Sequence, residues 1–248
     1  MDMGILGWVL ACIAAFAVGL AKGGLSMVGM LGVPLMALVI SPVQAAGILL
    51  PVYIVSDIGG LIAFRRSFDR RVLATLIPGM ITGVMLGWAT ASLVDESRIG
   101  LIVGLIGLGF CLNAFLRPSL AGQFGRGASW GAGSAWGIVS GYVSFVSHSG
   151  APPYQIYVQP MRMEPMLYAG TTTIFFAITN AVKLIPYASL GQLSAQNLAV
   201  SAALIVPALL GVAAGLWIIK RLPATFFYKF ITWALAVVSL KLVWDGLQ

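Results

Sequence analysis

Lys22-Gly23-Gly24-Leu25-Ser26 interrupts an apolar chain, and Ser147-His148-Ser149-Gly150-Ala151-Pro152-Pro153 interrupts it again in the second half. Each break opens a short apolar piece, then a proline-led long segment, a loop and another long segment. Pro42 followed by Ala46-Gly47 matches Pro165 followed by Ala169-Gly170, which sets Asp57 opposite Asn180. Pro78 with Gly83, Gly87 and Trp88 parallels Pro207 with Gly211, Gly215 and Trp217. The loop after the first proline-led segment reads Arg65-Arg66-Ser67-Phe68-Asp69-Arg70-Arg71, whereas its counterpart, Ser189 to Asn197, carries no charge. Lys and Arg accumulate in cytoplasmic loops, so related halves with such different loops are expected to lie upside down relative to each other. The pattern predicts an all-α, polytopic helical membrane protein. It has two inverted repeats, 1–120 and 128–248, with the short broken segments meeting at the membrane midplane and Leu120 to Gly127 as linker.

Composition points the same way. The chain is 60% hydrophobic and 8% charged, with a mean hydropathy of +0.99, against about 25% charged residues in a soluble domain. Its apolar runs match the ~20 residues a helix needs to cross ~30 Å of hydrocarbon. Membrane lipid is therefore an expected partner, and no length remains for a soluble domain. The net charge of +7 does not point to nucleic acid, because the basic residues sit at segment ends as topology anchors do. Cys12 and Cys111 lie inside apolar segments and imply no disulfide framework. Met1-Asp2-Met3 lacks a basic leader, so the first apolar run is expected to be a permanent helix.

Apolar segments cover about 4–21, 25–40, 43–64, 72–94, 99–116, 128–146, 150–161, 165–187, 197–219 and 225–244. The two short ones, 25–40 and 150–161, either cross or re-enter. If all ten cross from an outside N-terminus, Lys22, Arg65, Arg66, Arg70, Arg71, Arg117, Arg126, Arg162, Lys220, Arg221 and Lys229 face the cytoplasm. Only Arg98, Lys183 and Lys241 then face outward. That asymmetry favours ten crossings. Glycines four apart, Gly79/Gly83/Gly87 and Gly133/Gly137/Gly141, permit close helix contact, either within the fold or in a homodimer.

The breaks are the first candidates for a site. Helix starts leave N–H groups unpaired and carry partial positive charge, so they attract anions. Lys22, Gly23, Gly24 and Ser26, with Ser147, His148, Ser149 and Gly150, offer donors without nearby carboxylates, which suits a small anionic substrate. Lys22 reads equally as an anchor snorkelling to water. His148, the single histidine, is a ligand or gating contact or else a structural residue, and no metal site or cofactor is indicated. Asp57 lies deep in its segment and is a coupling candidate or the partner of a lysine. Asn180 cannot titrate, and Lys183, one turn on, is an anion contact or a snorkelling lysine. Arg65 and Arg66, with Arg70 and Arg71, set topology and form a cytoplasmic anion funnel. Trp8, Trp88, Trp130, Trp217, Trp233 and Trp244 fit interfacial belts.

Lys22 to Ser26, Pro34, Pro42-Val43-Gln44-Ala45-Ala46-Gly47 and the Arg-rich loop followed by Pro78-Gly79, Gly83 and Gly87 resemble the signature of the sulfite exporter TauE/SafE family. A weaker second copy lies in the other half, with Ser-His-Ser in place of the glycine run. The resemblance covers essentially the whole chain. It implies a bacterial inner-membrane permease with seven to nine transmembrane helices, carrying sulfite, sulfoacetate, other organosulfonates or thiosulfate.

The expected activity is secondary transport of such an anion, outward, by alternating access. An anion channel and a proton-coupled uptake permease for thiosulfate or sulfonate are the alternatives. The chain lacks the cluster of carboxylates, histidines or cysteines that an intramembrane enzyme needs, so no enzymatic activity is expected.

Overall fold

A computed structural model describes residues 4–91, 93, 96–116 and 128–247. The expected linker, Leu120 to Gly127, lies outside the described residues, as do Arg117 and Arg126. The chain is an all-α, multi-pass membrane protein. Its helices are α1 (Gly4–Lys22), α2 (Gly32–Ala37), α3 (Pro42–Phe64), α4 (Arg70–Ala89), α5 (Glu96–Leu116), α6 (Trp130–Ser147), α7 (Ala151–Val158), α8 (Pro165–Ser189), α9 (Ala195–Ile219) and α10 (Ala224–Leu247). A 3-10 turn, Ser26–Leu31, precedes α2, and another, Gln159–Met161, follows α7. Among the described residues, five helical stretches are long and apolar enough to cross a bilayer: Gly4–Lys22, Val43–Phe64, Arg70–Ala89, Ala195–Ile219 and Ala224–Leu247.

Local chemistry sets the helix ends. Ser41, Ser129 and Ser194 cap α3, α6 and α9 by accepting the N–H of the residue three positions on, and Asp69 caps α4 from the N–H groups of Arg71 and Val72. Pro42 sits at the start of α3, where its missing N–H costs nothing. α4 stops at Ala89, earlier than hydropathy predicts: Thr90 leaves the helical conformation, with φ −105° and ψ 5°, while its hydroxyl donates to the Leu86 carbonyl. The broken pieces are short. At about 2.0 Å per 3-10 residue and 1.5 Å per α residue, neither Ser26–Ala37 nor Ala151–Met161 covers ~30 Å as regular helix. The expected ten crossings are therefore not carried by regular helix at these two places.

The chain forms two compact units that cut across the sequence halves. The first joins 1–68 to 166–222, and the second joins 69–165 to 223–248. In the first, α1 packs along α9 and α3 against α9. Its core gathers Ala11, Ala14, Ala15 and Val18 of α1, Ile48, Leu49 and Val52 of α3, and Val200, Leu204 and Ala208 of α9. In the second, α4 packs along α6 and α5 along α10. Both units put small residues at the helix seams. A side chain on Gly19 would strike the Ala208 carbonyl, and one on Gly211 the Phe16 carbonyl. In the second unit, a side chain on Gly79 would strike the Ser134 carbonyl, and one on Gly137 the Leu76 carbonyl. These contacts equate Gly79 and Gly83 with Gly211 and Gly215, one helical turn from the register suggested by Pro78 and Pro207. They also assign the glycine faces to packing inside each unit.

Polarity runs opposite to that of a soluble domain. Ile5, Leu6, Val9 and Ile13 of α1, Val206, Leu210 and Trp217 of α9, and Trp233, Val237 and Trp244 of α10 are exposed. Lysine, aspartate, asparagine, glutamine and threonine side chains are buried. Apolar surface outward and polar groups inward is the arrangement a hydrocarbon solvent demands.

Candidate functional site

In the first unit, four chemistry-bearing side chains converge from three helices. α1 ends at Lys22 because the chain closes on itself there: Gly23, Gly24 and Leu25 donate their N–H groups to the carbonyls of Gly19, Ala21 and Leu20. Gly24 takes a φ of 121°, which only glycine adopts readily. This closure leaves Lys22 on the last turn, where the partial negative end of the helix favours a cation. The Lys22 Nζ lies 2.7 Å from Asp57 Oδ1, with Lys22 5% and Asp57 3% exposed. The other carboxylate oxygen accepts a 2.8 Å hydrogen bond from Asn180 Nδ2. Lys22 also lies over the Tyr53 ring, 5.2 Å from its centroid, and the Tyr53 hydroxyl donates to the Gly29 carbonyl at 2.9 Å.

Helix spacing explains this convergence. Tyr53, Asp57 and Gly60 follow one face of α3, and Thr173, Asn180 and Lys183 follow one face of α8. A side chain on Gly60 would meet Thr173 Cγ2 and the Lys22 carbonyl, so glycine there lets α3 approach both. Thr173 Oγ1 donates to that same carbonyl at 3.4 Å. Lys183 is 1% exposed and lies over the Tyr187 ring at 5.7 Å. Its charge and those of Lys22 and Asp57 act on one another. Ser26 and Ser56 add buried hydroxyls that have no hydrogen-bond partner among the described residues.

The second unit holds the other break. α6 ends at Ser147, and His148 turns the chain with a φ of 53°. This left-handed conformation is uncommon outside glycine, though histidine is enriched there. The hydroxyls nearby are committed: Ser147 donates to Val143 O, Ser149 to Ser147 O, and Ser140 to Gly150 O at 2.7 Å. Pro152 and Pro153 delete two N–H groups from the start of α7. Farther along α7, Gln155 is fully buried, and Gln159 donates from Nε2 to Thr232 Oγ1 at 2.6 Å. Among the described residues, this unit's buried polar set is uncharged: Thr75, Ser140, Ser144, Ser149, Gln155, Gln159, Thr232 and Ser239.

The family model for the sulfite exporter TauE/SafE matches residues 11–242. The chain belongs to the TauE/SafE family. No curated protein and no solved structure matches it. The family identifies the chain as a membrane transporter of anions, and the match takes in both breaks and both units.

Within this TauE/SafE chain, Lys22, Asp57, Asn180 and Lys183 come together in the first unit. Lys22 and Lys183 are buried rather than snorkelling, and Asp57 is the partner of Lys22. The backbone donors expected at Gly23 and Gly24 are spent in closing α1, because a helix C-terminus, not a start, lies there. Ser147, His148, Ser149 and Gly150 lie in the second unit, and the prolines leave the helix start after them poor in donors. Arg65 and Arg66 are exposed, as are Arg70 and Arg71. Sequence reasoning passed over Tyr53, Thr173, Gln155 and Gln159. The two glutamines, one turn apart in an apolar piece, were the available signal. Among the described residues no three His, Cys, Asp or Glu side chains group as metal ligands do.

Proposed function

We propose that this TauE/SafE protein is a secondary transporter of the bacterial inner membrane that exports a small sulfur-containing anion, sulfite or an organosulfonate such as sulfoacetate, by alternating access. The observation that carries this reading is the buried cluster of one carboxylate and two lysines, in which Lys22 pairs with Asp57 and Lys183 is buried on the neighbouring helix within reach of their charges. A buried cation is tolerated only when paired. An arriving monoanion can pair with the Lys22 ammonium in place of Asp57. Asp57 holds Lys22 in place between passengers, Asn180 orients Asp57, and the Tyr53 ring covers the ammonium. The passenger exchanges with Asp57 for Lys22, so the pair is the resting contact that substrate replaces. Gly23 and Gly24 close the helix that presents Lys22, and the Ser26 hydroxyl, without a partner among the described residues, is the candidate substrate contact of this break.

Outward transport has a driving force. With the cell interior negative, each anionic charge leaving gains ~2.3 kcal/mol per 100 mV. Export proceeds without a coupled ion, and the exposed Arg65 and Arg66 would raise the anion concentration near a cytoplasmic entrance.

Calorimetric titration of purified protein with sulfite, sulfoacetate, thiosulfate and sulfate tests this. Saturable binding of a sulfur anion, lost in Lys22→Ala and weakened at least tenfold in Lys183→Gln, is the expected result. Folded protein that binds none of these anions, or binds them equally well without Lys22, overturns it.

A further inference from the structure

Gln155 presents a second piece of chemistry, in the second unit. Its side chain is 0% exposed, and neither Nε2 nor Oε1 has a hydrogen-bond partner among the described residues. A buried carboxamide left unpaired is costly, and native proteins keep such groups where strain or ligand binding explains them. Gln159 lies one α turn on, since its N–H bonds to the Gln155 carbonyl. Its Nε2 is tied to Thr232 Oγ1, which fixes the carboxamide and leaves Oε1 without a partner. Thr232 is itself anchored to the Tyr228 carbonyl. The two glutamines thus share a helix face and offer one unpaired donor and two unpaired acceptors.

That inventory selects a ligand. A fully ionised oxyanion only accepts hydrogen bonds and can answer only the Gln155 Nε2 donor. An oxyanion that keeps one proton accepts from Nε2 and donates to Oε1. The hydroxyls of Ser140, Ser147 and Ser149 are committed to backbone carbonyls, so among the described residues of this unit the unpaired buried side-chain atoms are those of Gln155, Gln159 Oε1 and the Ser239 hydroxyl, and Gln155 alone offers a donor beside an acceptor on one planar group. We propose that Gln155 is a ligand contact of the transporter and that its carboxamide selects the singly protonated form of a small oxyanion. This rests on the oxyanion-transport reading above.

The test uses full-length protein in detergent and two probes: sulfite near pH 6, which carries a proton, and methanesulfonate, which accepts but cannot donate. Gln155→Met keeps the length and removes both polar atoms. Gln155→Glu keeps the shape and removes the donor. The expected result is that Gln155→Met melts at a higher temperature than wild type yet binds sulfite at least tenfold more weakly. Methanesulfonate binding, which loses only the Nε2 contact, should weaken at least threefold less than sulfite binding does. Gln155→Glu, which sets a carboxylate against the anion, should also bind sulfite at least tenfold more weakly. Sulfite binding unchanged in both variants overturns the proposal, as does equal weakening toward both probes in Gln155→Met. Should Gln155→Met fail to fold, sulfite binding by Gln155→Glu decides: weakening of at least tenfold supports the proposal and unchanged binding overturns it. Failure of wild type to bind any sulfur anion instead removes the transport reading on which this proposal rests.

Discussion

The two units are packed alike and charged differently. In one, α1 and α9 meet through Gly19, Gly23, Gly211 and Gly215. In the other, α4 and α6 meet through Gly79, Gly83, Gly137 and Gly141. Yet the first buries Lys22, Asp57 and Lys183, while among the described residues the buried polar set of the second is neutral. Close glycine packing is a geometric requirement that every copy of such a seam must meet, so it persists in both. A buried charge is a liability unless a counter-charge is built beside it, so it survives only where function uses it. The packing is shared scaffold, and the buried charge belongs to one unit.

The sharpest way to break this contrast is to remove one half of the ion pair. Asp57→Leu leaves the Lys22 ammonium buried without its carboxylate and should cost about 3–5 kcal/mol of stability, read by denaturation in detergent. The double change Lys22→Met with Asp57→Leu should regain most of that while binding no anion. A double-mutant cycle that finds the two losses additive would show the pair to be uncoupled. The neutral unit should show no effect of this size.

The seams should respond alike where the polar groups do not. Gly79→Ala and Gly211→Ala each press a methyl against a main-chain carbonyl that cannot swing aside, and each should cost ~1–3 kcal/mol. Thermal unfolding that spares one and not the other would end the claim of matched packing. Gln159→Met removes a single neutral hydrogen bond to Thr232, whose hydroxyl keeps its bond to Tyr228 O. It should cost only about 0.5–1.5 kcal/mol. The smallest expected effect is at the helix caps. α4 and α9 begin on Asp69 and Ser194, and Ser194→Asp should leave stability within ~0.5 kcal/mol of wild type while Ser194→Ala loses ~1 kcal/mol.

Much of this was legible before any coordinate. Each expected apolar segment corresponds to helical structure at nearly the same residues, because a hydrocarbon solvent writes its demand directly into composition. Lys22, Asp57, Asn180 and Lys183 stood out because charge and amide are rare in such segments. Their meeting was not legible, since it depends on how α1, α3 and α8 are set together. Nor was the fate of the break donors. Gly23 and Gly24 suggest an open anion cradle in sequence, but a glycine pair closes a helix as readily as it opens one, and hydrogen-bond partners decide which. Gln155 was hidden for the opposite reason. A neutral amide in an apolar run draws no notice until its lack of partners is seen.

Asp57 and Asn180 lie at matched places, each fifteen residues beyond its proline, and they touch. Were both positions aspartate, two carboxylates would meet there and repel. Were both asparagine, the Lys22 ammonium would have no counter-charge. One oxygen in place of one nitrogen lets the amide donate to the acid while the acid holds the lysine.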